Sequence, residues 1–486
     1  MTRIASSSRA LLLTALLAGC TVGPNYRPPS PAALKVPEKF NASAPAAAQQ
    51  VDLARWWTGF DDPVLTQLVE RSLAANLDID AAGARLRQAR ATLRGAKGQA
   101  LPTLGASGSV TRSVGRDGGS VIDPDTGTTI STGGDTTVYR AGFDAAWEAD
   151  IFGGIRRSIQ AARADAEGAE AELHSAQLTV ASEVGLNYLD ARLAQERLRI
   201  ARENLASQDE TLQIVGWRVQ AGLVSSLDLE QARQLRAQTA ATIPTLETGY
   251  VAAVNRIAVL LGEAPGAVTS IIDPARAIPL APSVQTAIPA DVLARRPDVA
   301  AAERTLAAET ARIGVREADL YPALRLSGSF SGSDTSLGDL PSAAIGNLVA
   351  AITAPIFQGG QIRAAIEGQR ASTDAALAGY KSAVLVALED VENALTALSA
   401  SERREREVII SAEAARNAAI YARAQYRAGL IDFQSLLESE RSLLSSQDSQ
   451  ASARADRATA TVQLYKALGG GWEAAPMPQT ASSQRP

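Results

Sequence analysis

The sequence predicts a mainly α chain with β, in which four strands close a barrel only when three copies join and long coiled-coil helices continue that barrel. Three observations carry this. The chain repeats itself in tandem, and each copy switches from a period of two to a helical period. Two long stretches, Ile155–Ala221 and Ile362–Ala428, run without a single proline.

The amino terminus comes first. Arg3 and Arg9 precede an apolar run, Ala10–Ala18, that ends in Leu17-Ala18-Gly19-Cys20. A basic start, a short apolar run and small residues at its end describe a secretory signal, residues 1–19, too short for a membrane span. The single cysteine immediately after resembles a bacterial lipobox, in which Cys20 takes a diacylglycerol and becomes the first residue. A lone thiol in an oxidising compartment has no disulfide partner, which also favours lipidation. Thr21 rather than Asp at the next position implies sorting to the outer membrane. Residues 20–50, rich in Pro and Ala from Pro24 to Ala48, read as a lipidated tether.

The repeat follows. Asn76–Ala82 echoes Arg296–Ala301, and Leu101-Pro102-Thr103-Leu104 aligns with Tyr321-Pro322-Ala323-Leu324, both at the lag that carries Asp78 onto Asp298. Arg218–Val224 aligns with Gln425–Ile431 at the shorter lag that carries Gly222 onto Gly429, and this lag holds from Arg156/Arg363 to Gly262/Gly469. The shortening between the two segments predicts a longer loop in the first copy. The copies are residues 51–262 and 290–470, with a Pro-, Ala- and Ile-containing connection at 263–289 and a flexible tail at 471–486.

Within each copy a helix leads into two alternating runs. Leu104, Ala106, Gly108 and Val110 alternate with polar or small neighbours, as do Tyr139, Ala141, Phe143, Ala145 and Trp147. The second copy repeats this in Leu324–Ser331 and Asn347–Ala354. These runs predict strands at about 103–112, 138–148, 323–332 and 346–355, each near the roughly 9–11 residues a tilted strand needs to cross a bilayer. Long helical hairpins follow at 155–262 and 361–469. From 180 to 219 a 4,3 spacing of Val, Ala and Leu forms a heptad seam broken only by Asn187 and Gln208. At about 1.5 Å per residue each long helix reaches about 100 Å. Gly222 and Gly429 sit where the helices turn back, and Pro244 predicts a kink or break in the first return helix.

Composition narrows the function. The net charge is −5, or −7 once residues 1–19 are removed, which disfavours nucleic acid. One Cys and one His leave no disulfide framework and no metal site. No phosphate-binding Gly-x-x-x-x-Gly-Lys loop occurs, and His174 stands alone in a helix. The expectation is a non-enzyme with no cofactor beyond the covalent lipid on Cys20. Four strands cannot close a membrane barrel, whereas three chains supply twelve, an even number within the known range. Open edges in lipid would leave backbone groups unpaired at several kcal/mol each. Together the parts describe a trimeric conduit.

Cys20-Thr21-Val22-Gly23-Pro24-Asn25-Tyr26, Trp57–Leu65, the block Ile288–Val299 continuing to Tyr321-Pro322, and Pro355–Gly360 resemble outer-membrane factor lipoproteins of the NodT branch, relatives of TolC and OprM. The resemblance covers about residues 20–472. It implies a homotrimer in outer-membrane lipid, with a β-barrel joined to an α-helical periplasmic tunnel and an equatorial belt from Asp52–Asp62 and Glu263–Pro289. It implies passive export of drugs and other toxic small molecules from a periplasmic adaptor (membrane fusion) protein and an inner-membrane transporter of RND type. Exit-duct service in type I protein secretion, or a structural coiled-coil lipoprotein, are the alternatives. Carried over residue by residue, the adaptor-docking tips are Arg218, Gly222, Leu223, Ser225, Arg427, Gly429, Leu430 and Asp432. Asp228 and Tyr426 match a latch that holds the tunnel shut. Glu438 matches an acidic pore constriction, with Glu where the family usually has Asp.

Overall fold

The computed structural model describes residues 21–30, 33–34, 36–37, 53–114, 119–122, 128–132, 135–280, 282 and 295–472. The signal stretch 1–19, the lipidation site Cys20, most of the tether, residues 283–294 and the tail from 473 lie outside the described residues.

A 3-10 segment, Leu53–Phe60, precedes α1 (Pro63–Ala75) and α2 (Leu77–Gly98). Then come β1 (Thr103–Ser113), β2 (Gly119–Ile122), β3 (Thr129–Thr132), β4 (Thr136–Ala149), α3 (Gly154–Gln220), α4 (Ser226–Leu260) and α5 (Thr269–Ile272). The second copy contributes α6 (Pro297–Ala318), β5 (Ala323–Asp334), β6 (Ala344–Thr353), α7 (Gln361–Arg427) and α8 (Phe433–Ala467). The connection from β1 to β4 spans 114–135, whereas that from β5 to β6 spans only 335–343, and this difference accounts for the whole shortening of the repeat lag. The small β2–β3 hairpin sits inside the longer loop and left no pattern strong enough to predict. β6 ends at Thr353, short of the expected 355, because Pro355 has no N–H and restrains Ala354 before it.

The chain packs into two compact units, and neither is a sequence copy. One gathers residues 1–28, 87–167 and 304–378; the other gathers 29–86, 168–303 and 379–486. The first unit mixes the copies because β4 of the first copy pairs directly with β5 of the second; the second unit does so because α1, α3 and α4 share a core with α8.

In the first unit the four long strands form an antiparallel sheet in the order β1-β4-β5-β6. Phe143 faces Phe330 and Trp147 faces Leu326 across its centre. The apolar side chains of β1 and β6 are exposed; Leu104, for instance, is 77% accessible. Among the described residues, β1 and β6 have no partner strand on their outer edges. A sheet with an uncovered apolar face and two such edges is what lipid and further strands would complete.

The same unit holds the segment from Val22 to Tyr26 in a fitted slot. Val22 N–H donates to the Phe152 carbonyl (3.1 Å). Arg157, almost fully buried, donates from Nε to the Val22 carbonyl (2.9 Å) and from Nη2 to the Gly23 carbonyl (2.8 Å). Gly23 has φ +86°, and a Cβ there would lie 2.4 Å from the Gly314 Cα. Tyr26 packs on Ala164, Ala307 and Ala308. The slot draws Arg157 from the first copy and Gly314 from the second; by the repeat alignment these correspond to Ala364 and Arg94, so the alignment does not repeat it.

In the second unit the 3-10 segment inserts Trp56, Trp57 and Phe60 into a core formed with α1, α3, α4 and α8. Trp56 stacks on Tyr465 at 5.7 Å, and a Cβ on Gly185 would come within 2.8 Å of its ring. Asp62 caps α1, accepting from Val64 N (2.8 Å) and Leu65 N (3.2 Å), with Pro63 at the first helical position. Its other oxygen accepts from the Tyr188 hydroxyl at 2.6 Å, pinning α1 to α3. Burial and that bond raise the Tyr188 pKa. The heptad seam of α3 is buried or half-buried throughout. A polar neighbour of that seam finds its partner on α8: Asn204 Nδ2 donates to Gln447 Oε1 at 2.8 Å. Pro244 does not break α4, which runs unbroken through it from Ser226 to Leu260. Proline removes one helical hydrogen bond at about 3 kcal/mol. Burial of Leu235, Thr239, Val254 and Ile257 on either side holds the helix together.

Candidate functional site at the helical turns

The expected docking residues lie in the second unit, where α3 turns into α4 and α7 into α8. Both long helices end in the same way. Leu223 N–H donates to the Arg218 carbonyl (2.8 Å) and Gly222 N–H to the Val219 carbonyl (3.0 Å). Leu430 N–H donates to Gln425 (2.9 Å) and Gly429 N–H to Tyr426 (3.0 Å). This paired pattern satisfies the last carbonyls and requires a left-handed residue, supplied by Gly222 (φ +69°) and Gly429 (φ +75°). Among the described residues, no neighbour lies within 4 Å of where a Cβ would sit on either glycine, so backbone conformation alone selects them.

The return helices start on matching caps. The Ser225 hydroxyl accepts from Leu227 N at 3.1 Å, and Asp228 Oδ2 accepts from Ser225 N at 3.3 Å, a capping box. Asp432 Oδ1 accepts from Ser435 N at 2.8 Å, and hydrogen bonds from Ser435 hold its pKa below the ordinary carboxylate value. Val224 and Ile431, just before the caps, pack with Leu229 and Leu436 on one cluster, the arrangement of a hydrophobic staple. That cluster, centred on Val215, Leu235, Tyr426, Phe433 and Leu437, joins the two turns. Outside it, Leu223 and Leu430 project with 72% and 74% of their surface accessible.

Arg218 bridges the two hairpins. Its Nη2 donates to the carbonyls of Tyr426 (2.8 Å) and Arg427 (3.1 Å), and its guanidinium carbon lies 4.4 Å from the centre of the Tyr426 ring. A cation at the carbonyl end of α7 complements the helix dipole. Arg427 itself reaches Glu210 at 3.8 Å. Tyr426 is 2% accessible, and its hydroxyl has no partner among the described residues. Burial raises the Tyr426 pKa against the opposing charge of Arg218. Asp228 therefore uses its carboxylate on its own cap, and within one chain it makes no hydrogen bond to Tyr426. Glu438 is exposed on α8 and stands outside the cluster.

A second acid here escaped sequence reasoning. Glu440 is 2% accessible, and its Oε1 accepts from Thr211 (3.1 Å) on α3 and Arg423 Nε (3.3 Å) on α7. Burial raises its pKa; the Arg423 charge and the Thr211 hydroxyl oppose that rise. The available signal was spacing, since Phe433, Leu436, Leu437, Glu440 and Leu443 mark one apolar stripe interrupted by an acid.

Residues 68–263 and 288–470 match the outer membrane efflux protein family, covering both sequence copies. The chain is 35% identical to Nodulation protein T of Rhizobium leguminosarum bv. trifolii, over 94% of this chain and 96% of that protein. It is 32% identical to the pyoverdine export outer membrane protein OpmQ of Pseudomonas putida, over 92% and 94%. Its fold matches the outer-membrane channel OprN with a TM-score of 0.83 and 36% identity, covering 93% of this chain and all of that one. Both copies of the repeat fall within these matches, and the chain belongs to the outer membrane efflux protein family.

Proposed function

We propose that the protein is the outer-membrane exit duct of a tripartite efflux system, a homotrimer through which small toxic molecules, drugs among them, leave the cell passively. The observation that carries this reading is the four-stranded sheet, with its apolar face exposed and its outer edges open, in a chain that also forms two helical hairpins, each of a 67-residue and a 35-residue helix. Three such sheets close a twelve-stranded barrel and leave no edge in lipid. The likeness to a pyoverdine export protein and to a channel supports transport and assigns no catalytic step.

On this reading a periplasmic adaptor docks on the turns at Gly222-Leu223 and Gly429-Leu430, where exposed leucines flank open backbone. An inner-membrane transporter of RND type supplies the energy and the choice of cargo. On this reading Tyr426 and Asp228 form the latch; because the Tyr426 hydroxyl is closed off inside its own chain's cluster, a neighbouring Asp228 reaches it only once that side chain swings outward. Exposed Glu438 would form a threefold acidic ring that favours cations. Cys20 carries the lipid that anchors each chain. Deleting the gene tests the whole: intracellular accumulation of fluorescent amphiphiles and susceptibility to drugs and metals rise, and the intact gene restores both. A protein that extracts as a monomer, with no heat-labile trimer, refutes the duct.

A further inference from the structure

We infer that a cavity walled by α3, α7, α8 and the connection at 277–280 binds a small organic anion, its charged head at Arg416 and Arg454 and its apolar body against Ile278, Leu280 and Ile409. The inference does not depend on the duct reading, because every wall belongs to one chain and to the second unit.

The cavity holds about 320 Å³, inside the range of roughly 300–1,000 Å³ typical of small-molecule sites. The charged side chains that line it do not cancel. Glu196 is taken by Arg199, whose Nε and Nη2 donate to its two oxygens at 3.0 and 2.6 Å. Those bonds hold the Glu196 carboxyl below its ordinary range, and Arg454 adds only a weaker attraction at longer range. Glu405 is taken by Arg457, which donates from Nη1 at 3.0 Å. Among the described residues, Arg416 and Arg454 have no carboxylate within ion-pair distance, so two positive charges stay uncompensated.

The helix register explains why Arg454 is left over. Thr211 donates to Glu440 at 3.1 Å; one heptad earlier on α3, Asn204 donates at 2.8 Å to Gln447, one heptad later on α8. The same step sets Arg197 across from Arg454. Arg197 already has partners on α8, donating from Nη2 to Asp448 at 3.2 Å and to Ser452 at 2.8 Å. A rung of two cations is thus served by one carboxylate. Arg454 Nε is buried with no hydrogen-bond partner among the described residues, so this guanidinium is partly desolvated without a counter-charge. An anion in the cavity relieves that cost.

The repeat shows what was exchanged. By the shorter lag, Arg416 and Arg454 correspond to Asp209 and Glu247, acids that pair with Arg236 at 2.7 Å and Arg202 at 2.9 Å. The residues corresponding to those two arginines are Leu443 and Ile409. Two ion pairs of the first copy are therefore two cations beside apolar side chains in the second. Leu280, 64% accessible, extends that apolar wall. Positive charge against apolar surface complements a carboxylate or sulfonate on a compact hydrocarbon body, whereas an inorganic ion would use the charge alone.

The test titrates the purified native trimer in lipid nanodiscs with para-fluorobenzenesulfonate, followed by fluorine NMR. Binding should saturate, and the bound probe should slow hydrogen exchange in residues 405–416 and 447–454. Arg454→Gln, Arg416→Gln and Leu280→Glu should each weaken binding by at least about tenfold. Arg406→Gln, exposed on α7 and outside the cavity, should leave it unchanged. Arg416 and Leu280 are exposed, so those two variants carry the test if Arg454→Gln fails to fold. The site is overturned by a lack of saturation, by para-fluorobenzylammonium binding as tightly as the sulfonate, or by an affinity unmoved in the cavity variants. Inorganic sulfate binding as tightly as the aryl sulfonate overturns the organic class. A native protein that extracts as a monomer refutes the duct, and the same titration on that monomer then decides the cavity on its own.

Discussion

Arg218→Ala should loosen the helical turns by a predictable amount. The guanidinium gives a charged hydrogen bond to the Tyr426 carbonyl, a more exposed one to Arg427, and a cation–π contact on the Tyr426 ring. A hydrogen bond to a charged group contributes about 1.5–3 kcal/mol when buried. Two considerations place the sum near the low end. The Tyr426 carbonyl keeps its bond from Gly429 N–H after the substitution. The Arg427 carbonyl is exposed and regains water. With about 0.5 kcal/mol for the ring contact, the loss is about 2 kcal/mol. At about 1.4 kcal/mol per decade this is roughly a 30-fold rise in local opening. Hydrogen exchange of the peptide spanning residues 420–432, measured on the solubilised trimer, reads it directly. Arg218→Lys should fall between, because an ammonium cannot fork to two carbonyls and cover a ring. A change below about threefold for Arg218→Ala would refute the bridging role and leave the hydrophobic cluster as the sole tie between the turns.

Other outcomes follow from the same geometry. Tyr426→Phe removes a hydroxyl without a partner among the described residues, so exchange at the turns should stay within about twofold while single-channel conductance in planar bilayers rises; unchanged conductance removes Tyr426 from the latch. Asp228→Ala should raise conductance too, but with faster exchange in the first turn of α4 from a lost cap of about 1 kcal/mol. Burial raises the Glu440 pKa, so its protonated form favours the fold and that stability fades as pH climbs through the raised value. Protection of residues 433–445 should therefore fall as pH rises above the ordinary glutamate range of about 4–5 in the native protein and fall less in Glu440→Gln; parallel profiles would contradict this. Arg157→Ala loses two hydrogen bonds to the amino-terminal segment, and chymotryptic cleavage after Tyr26 should speed up by at least about tenfold, with an unchanged rate counting against the slot.

The parts of the fold that were legible in the sequence are those in which a residue's neighbours lie close in the chain. Alternation in Tyr139–Trp147 states that two faces differ, and the glycines after Ala221 and Ala428 state where a helix must stop. The change in repeat lag located the longer β1–β4 loop, though not the hairpin inside it. At Pro244 the local cost is visible in the sequence, whereas the packing that carries the helix unbroken through it is not. At the turns, Arg218 and Tyr426 match separate positions of the family, and only the fold shows the arginine lying on the ring of a residue far along the chain. Glu440 needed a partner from each of two other helices before its burial made sense. Arg157 looked like one more surface cation at the start of a helix, yet it grips the carbonyls of Val22 and Gly23, more than a whole strand pair upstream.

That grip has a mechanical meaning. Any tension on a lipid at residue 20 enters the structure through Thr21 and reaches Arg157 by way of Val22 and Gly23, where it is shared between two carbonyls and a glycine-on-glycine contact. The load passes into the first turn of α3, just after the end of β4, so lateral drag from the membrane is borne at the foot of the sheet. A tether secured only further along, beyond Tyr26, would let the anchor swing over the length of the Pro-rich segment. Securing it at Val22 turns a leash into a rivet. Because Arg157 and Gly314 correspond in the repeat to Ala364 and Arg94, the duplication does not supply a second such rivet.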